Sequence, residues 1–291
     1  FNYAGTVNGS TTAGPVPSAL ISCTPVLAPV TLVSSNATPT LAKSGDVVTL
    51  TFTVSRSITA PTVTLGGHSV TATNTSGNVW TANFTVGATD TEGAVAFSIG
   101  FTSTDGFAGT AVTATTDAST VTIDLTAPET TLTSQPASLS ASATATFTFS
   151  ATAAVRYEAS LDGGAYVAAT SPATLTGLAD GSHTFAVRAL DAAGNVDATP
   201  ASYTWTVDTV VTPPVVIPPE TPTVPSTTPT LTGTAEAGST VKIYEGTTLL
   251  GTTTADATGA WSFTPSTPLD NGAHTLTVTA TDAAGNVSQI S

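Results

Sequence analysis

The sequence predicts an all-β chain of three tandem antiparallel β-sandwiches, preceded by an extended N-terminal segment. Three observations carry that prediction. Apolar and polar residues alternate with period two: in Val48-Thr-Leu50-Thr-Phe52-Thr-Val54 one face is apolar and the other is all threonine. This is the pattern of an antiparallel strand with one face in a core. Turn signals separate such stretches, as in Leu161-Asp-Gly-Gly, Ala179-Asp-Gly-Ser and Asp270-Asn-Gly-Ala. Finally, the chain carries a near copy of part of itself. His183, Asp191 and Asn195 recur without a gap as His274, Asp282 and Asn286, each 91 positions later.

Taken in order, residues 1–28 form an uncharged, extended segment. No charged side chain precedes Lys43, and Phe1-Asn-Tyr3-Ala-Gly5-Thr-Val7 alternates like a strand. The first sandwich is expected over 29–126 and the second over 127–209. A spacer follows at 210–227, and the third sandwich occupies 228–291. In each sandwich a long alternating strand closes on an acidic loop: Thr104-Asp-Gly-Phe-Ala-Gly, Leu190-Asp-Ala-Ala-Gly-Asn and Thr281-Asp-Ala-Ala-Gly-Asn. Trp80 and Trp261 fall on corresponding strands as core anchors. The spacer contains repeated prolines, and that composition predicts an extended, semi-rigid rod of about 3.1 Å per residue.

Composition narrows the function. Asp and Glu outnumber Lys and Arg by 19 to 5, for a net charge of −14. The five cations (Lys43, Arg56, Arg156, Arg188 and Lys242) are scattered, so nucleic-acid phosphate is repelled. No run approaches the roughly 18–20 apolar residues of a membrane span. Sparse Lys and Arg leave few tryptic sites, and the absence of Met removes an oxidation liability. Both suit an extracellular setting. The lone Cys23 excludes an intrachain disulfide.

At this point a resemblance emerges. The segments PTLTGTAEAGSTVKIYEG, LDNGAHT and VTATDAAGNVS resemble bacterial Ig-like repeats of large surface adhesins. RALDAAGNVDATPASYTWTVDT is similar to a second kind of Ig-like repeat, and the first sandwich resembles a third. The resemblance implies Ig-like sandwiches over residues 29–291. For function it implies stalks, spacers or adhesive tips, with host or neighbouring cell surfaces as partners.

No catalytic residues are expected. His183 and His274 begin the same strand in two copies, which points to a structural role, and no Ser-His-Asp or Cys-His set is present. Related adhesin repeats use calcium at domain junctions, so the resemblance implies a possible Ca2+ site between the first two sandwiches. Its ligands would be Asp124, Glu129, Asp191 and Asn195, all oxygen donors. The alternative is that Asp and Asn only bond their own turns, with Gly194 and Gly285 left-handed. A site at Asp282 and Asn286 is disfavoured, because the spacer should hold the second sandwich away. Asn-x-Ser/Thr sequons occur at Asn8, Asn36, Asn74, Asn83 and Asn286.

The two ends carry the strongest functional expectation. After the Asp191–Asn195 loop the chain continues into Ser-Tyr203-Thr-Trp205-Thr-Val207-Asp; after Asp282–Asn286 nothing equivalent follows. The strand containing Thr275, Leu276, Val278 and Ala280 should therefore offer an unpaired edge, which invites another chain. A donor strand from the next copy, with Phe1, Tyr3 and Val7 inward, would complete it and build a head-to-tail filament. Ser18–Val26 is the second candidate donor. The competing expectations are a piece of a long adhesin stalk, a shorter or permuted closure, and a carbohydrate-binding accessory module. The last requires an exposed aromatic platform, whereas all three Trp lie in strand-like alternation.

Overall fold

The structure is a computed structural model and describes residues 24–218 and 226–291. It is all-β, and no helix among the described residues is long and apolar enough to cross a membrane. The chain divides into two units, the first ending at Leu125 and the second starting at Thr126.

In the first unit, Leu27–Ser34, Val47–Val54, Val79–Thr85 and Thr73–Ser76 form one sheet, in that order. His68–Thr71, Thr62–Leu65 and Phe97–Gly100 form another. The alternating stretch behaves as its pattern requires: Val48, Leu50, Phe52 and Val54 are all buried while the intervening threonines are not. They share a core with Val30, Leu65, Phe84 and Ile99. Gly66 is the one residue type its site admits. Its φ is +59°, and a Cβ there would collide with the Phe84 ring. Val26 also belongs to this unit: its N–H donates to Ser55 Oγ and its carbonyl accepts from Ser55 N–H. The second candidate donor, Ser18–Val26, thus has its last residue already engaged.

The second unit holds two separate cores. In one, Thr130–Ser134, Ala145–Ala151 and Ala173–Leu175 face a five-stranded sheet. That sheet runs Leu139–Ser140, Ala201–Val207, Gly181–Leu190, Arg156–Leu161 and Val167–Ala169. Phe147, Phe185 and Trp205 fill the gap, with Phe147 and Phe185 stacked at 4.2 Å. At the expected turn, Asp162 and Gly163 both take positive φ, so Leu161-Asp-Gly-Gly reverses the chain tightly.

The other core is built by two three-stranded sheets. One is Val215–Ile217, Leu231–Thr234 and Ala260–Phe263; the other is Thr248–Thr254, Thr240–Glu245 and Leu276–Thr281. Val241, Ile243, Trp261 and Val278 are buried between them. Here the structure departs from the sequence reading. Part of the expected spacer is a strand of this sandwich, since Val215, Val216 and Ile217 pair with Thr234, Gly233 and Thr232. Three consecutive β-branched residues between prolines favour an edge strand over a rod. Trp205 and Trp261 are buried, whereas Trp80 is half-buried against the first core.

Candidate functional site

The site is the outer edge of strand Leu276–Thr281, and it is best understood against its internal copy. Strand Gly181–Leu190 is sandwiched between two neighbours. Arg156–Leu161 lies on one side and Ala201–Val207 on the other, the latter running from Gly181↔Val207 to Val187↔Ala201. Shifted by the 91-residue offset, Gly181–Leu190 becomes 272–281. The strand in the third sandwich, however, covers only 276–281. The reason lies in its partners. Thr240–Glu245 stops opposite Leu276, just as Arg156–Leu161 stops opposite Phe185. Residues 181–184 have Ala201–Val207 as their one strand neighbour, and residues 272–275 have no such neighbour among the described residues.

The last residues of the chain begin to supply one. Ser288 N–H donates to the Ala280 carbonyl at 2.9 Å, repeating the bond from Asp197 to Ala189. Val278 and Ser291 then exchange both backbone hydrogen bonds, at 3.1 and 3.0 Å. This ladder shows that even-numbered residues present their N–H and C=O toward this edge, as alternate residues of an antiparallel strand do. Leu276 therefore points its backbone groups at the open side, and its side chain shares the core face with Val278 and Ala280. Its burial reports the gap: Leu276 is half-buried, while its counterpart Phe185 is 1% exposed. Of the expected acceptor residues, Leu276, Val278 and Ala280 are in the strand, with Val278 and Ala280 fully buried; Thr275 lies in the exposed stretch before it. The expected donors Phe1, Tyr3 and Val7 lie outside the described residues.

Both histidines brace the start of these strands. His183 Nδ1 meets Asp162 Oδ2 at 2.8 Å and Nε2 meets the Ala179 carbonyl at 2.8 Å. His274 repeats the arrangement, with Nδ1 on Glu245 Oε1 at 2.5 Å and Nε2 on the Asp270 carbonyl at 2.7 Å. Both nitrogens of each ring thus face acceptors, an arrangement that favours the doubly protonated ring. The backbone carbonyl and then the carboxylate push both pKa values above the ordinary 6.5. The two copies differ in one respect. His183 also lies against Trp205 of the closing strand, with ring centroids 5.7 Å apart. His274 has no such ring against it among the described residues and is more exposed, at 22% of its side chain against 12%.

The expected calcium ligands are divided between the units, Asp124 in the first and Glu129, Asp191 and Asn195 in the second. Asp191 and Asn195 make turn bonds. Asp191 Oδ1 accepts from Asn195 N–H and Oδ2 from Asn195 Nδ2, both at 2.8 Å, and Gly194 is left-handed at φ 84°. Glu129 accepts from Thr199 Oγ1 at 3.1 Å.

A carboxylate cluster that the sequence reading missed forms at the Asp282–Asn286 loop. Oxygens of Asp208, Glu236 and Asp282 all lie within 4.8 Å of one another. Asn286 Nδ2 donates to the Asp208 carbonyl at 2.6 Å and to Asp282 Oδ2 at 2.7 Å. Burial pushes the Asp282 pKa up, but donors from Asn286 and Gly285 outweigh it and hold it below 3.8. Three carboxylates can hold a hard cation, although calcium usually takes about six to eight oxygens. The reasoning that paired Asp124 with the Asp191 loop, moved along one repeat, pairs Asp208 with the Asp282 loop. The supposed rigidity of the spacer argued against that pairing, and Val215–Ile217 folding into the sandwich removes the objection. Two shallow depressions, of about 280 and 290 Å³, contain no His, Cys, Asp or Glu in their linings.

No curated protein matches the chain. Among solved structures, it resembles one from a study of host cell surface retention of a 1.5-MDa bacterial ice-binding adhesin. That match has 23% identity and a TM-score of 0.41, over 90% of this chain and 94% of the other. The fibronectin(III)-like modules of Clostridium thermocellum CbhA share 18% identity at a TM-score of 0.34, over 60% and 93% of the two chains. A tetra-tandem repeat from the extending region of a large adhesion protein shares 20% at 0.30, over 89% and 72%. The family model of the bacterial Ig-like domain matches residues 223–291, a range that includes Val241, Ile243, Trp261 and Val278 of the third core.

Proposed function

We propose that this chain is an extracellular structural subunit of three Ig-like modules, 29–126, 127–209 and 228–291, that assembles head to tail into a surface filament. The joint is strand exchange: an extended segment from one copy pairs with the open edge before Val278 in the next. The observation that carries this reading is the contrast between two copies of one strand. Gly181–Val187 is paired with the closing strand Ala201–Val207, while the equivalent residues 272–276 have no closing strand beside them among the described residues. A closing strand of that length supplies several ladder hydrogen bonds at about 0.5–1.5 kcal/mol net each, plus the burial of its inward side chains. The contact is heterologous and repeats without closing.

A second reading has its own support. Because Ser291 already pairs with Val278, residues continuing from it within a longer adhesin stalk would complete the same edge. Electron microscopy and light scattering of the 291-residue chain, with and without residues 1–23, separate the two. Fibres from the intact chain and monomers from the shortened one support strand exchange. Monodisperse rods from both favour the stalk. A carbohydrate-binding role has less to stand on, since Trp205 and Trp261 are core residues.

A further inference from the structure

The internal copy also indicates what the open edge recognises. We infer that His274 is the specificity point of the joint, and that it takes an aromatic side chain from the incoming strand, namely Tyr3 of a second copy with Phe1 beside Leu276. This inference rests on the strand-exchange reading above.

The template is the closed sandwich. There the closing strand sets Trp205 opposite His183 and Tyr203 opposite Phe185. Trp205 is 1% exposed, lies against the His183 ring and packs edge-on to Phe147 at 5.1 Å. Tyr203 stacks on Trp205 at 6.4 Å. Adding 91 carries over the histidine and its carbonyl partner: His183 becomes His274 and Ala179 becomes Asp270, while Glu245 takes the place of Asp162 as the carboxylate and Phe185 becomes Leu276. What does not carry over is the pair of aromatic rings two residues apart. A ring held at both nitrogens offers a flat face at the mouth of an apolar core, and an aromatic ring is the side chain that best covers it, as Trp205 does for His183.

The described residues leave 23 N-terminal residues outside, which is ample to supply a strand. Within them, aromatic residues two apart occur at Phe1 and Tyr3, the spacing of Tyr203 and Trp205. The segment carries no charged side chain that would have to be desolvated at the edge. In antiparallel register Phe1 then opposes Leu276, Asn2 opposes Thr275, Tyr3 opposes His274 and Gly5 opposes Gly272. Gly5 replaces Val207 at the far end, so recognition concentrates on the two rings.

The test uses full-length chains with Cys23→Ser. Asn2→Cys and Thr275→Cys are introduced in separate copies and mixed under mild oxidation; both positions leave Tyr3 and His274 intact. They form a non-hydrogen-bonded pair with Cα atoms about 4.5 Å apart, within disulfide reach. Thr6→Cys is the control, displaced by about 13 Å along the strand. The expected result is a covalent link from Asn2→Cys but not from Thr6→Cys. Assembly by Tyr3→Ser should weaken by about tenfold or more, with Tyr3→Phe close to the intact chain. If the intact chain assembles but Tyr3→Ser assembles equally well, or Thr6→Cys links instead, the His274 assignment is overturned while strand exchange stands. If the intact chain stays monomeric, or assembles equally without residues 1–23, strand exchange fails and the assignment goes with it.

Discussion

Val278 and Ser291 oppose one another across a two-bond antiparallel pair, and that pair is where the third sandwich stops closing. On its far side the edge is protected by Ser288; on its near side the backbone edge of the half-buried Leu276 has no strand neighbour among the described residues. This boundary predicts a step in amide exchange. In the unassembled chain, the Leu276 amide exchanges far faster than that of Phe185, its counterpart under a full closing strand. Assembly should slow Leu276 selectively. Hydrogen exchange read by NMR or mass spectrometry checks this, and equal protection of both amides in the monomer would refute the open edge.

The paired histidines predict a pH dependence with a definite sign. His183 and His274 have raised pKa values in the folded chain, first from a backbone carbonyl and then from Asp162 or Glu245. Their contribution is complete below the ordinary value of 6.5 and is lost as pH rises through the folded values. The melting temperature should therefore fall as pH is raised through and above neutrality. His183→Gln with His274→Gln should flatten the curve, measured by circular dichroism or calorimetry.

Asp197 predicts the opposite dependence at acid pH. Its carboxylate is 2% exposed; Oδ2 accepts from the buried Thr130 N–H and Oδ1 from Thr199. Burial raises its pKa, but donors from Thr130 and Thr199 prevail and keep it below 3.8. The stability it confers is present above that value and fades as pH falls through the lower folded value. Asp197→Ala strands the Thr130 amide and should cost about 1–3 kcal/mol in denaturant unfolding.

Trp205 carries the middle core against Phe147 and His183. Trp205→Ala should cost about 3–5 kcal/mol. It should also lower the His183 contribution to the pH profile, because the same cavity exposes that ring.

Gly233 tests the strand made from the proline-rich segment. A Cβ there would strike the Val215 carbonyl and the Trp261 ring. Gly233→Ala is expected to release Val215–Ile217 from Thr232–Thr234 and to shift Trp261 fluorescence. A melt and emission spectrum identical to the unmodified chain would contradict the pairing.

Much of this was legible in the residues. Alternation at Val48–Val54 and Tyr203–Val207 specified strands and their buried faces, since period-two patterning leaves one way to face a core. The 91-residue repeat identified His183 and His274 as equivalents before any contact was known. The Asp-Gly and Asn-Gly turns followed from left-handed backbone needs. Other features depended on long-range partners. The Pro-rich run read as a rod because local composition cannot reveal that Leu231–Thr234 lies ready to pair with Val215–Ile217. The Asp208, Glu236 and Asp282 cluster joins residues more than 70 positions apart at its extremes, and no local spacing marks it.

The sequence by itself determined the alternating strands, their inward faces, the turns and the equivalence of the two histidine-led strands, because these are set by stereochemistry and patterning within a few residues. Tertiary structure alone decided where each strand ends. Strand length depends on which neighbours are present to accept its backbone bonds, so equivalent segments extend from Gly181 in one sandwich and only from Leu276 in the other.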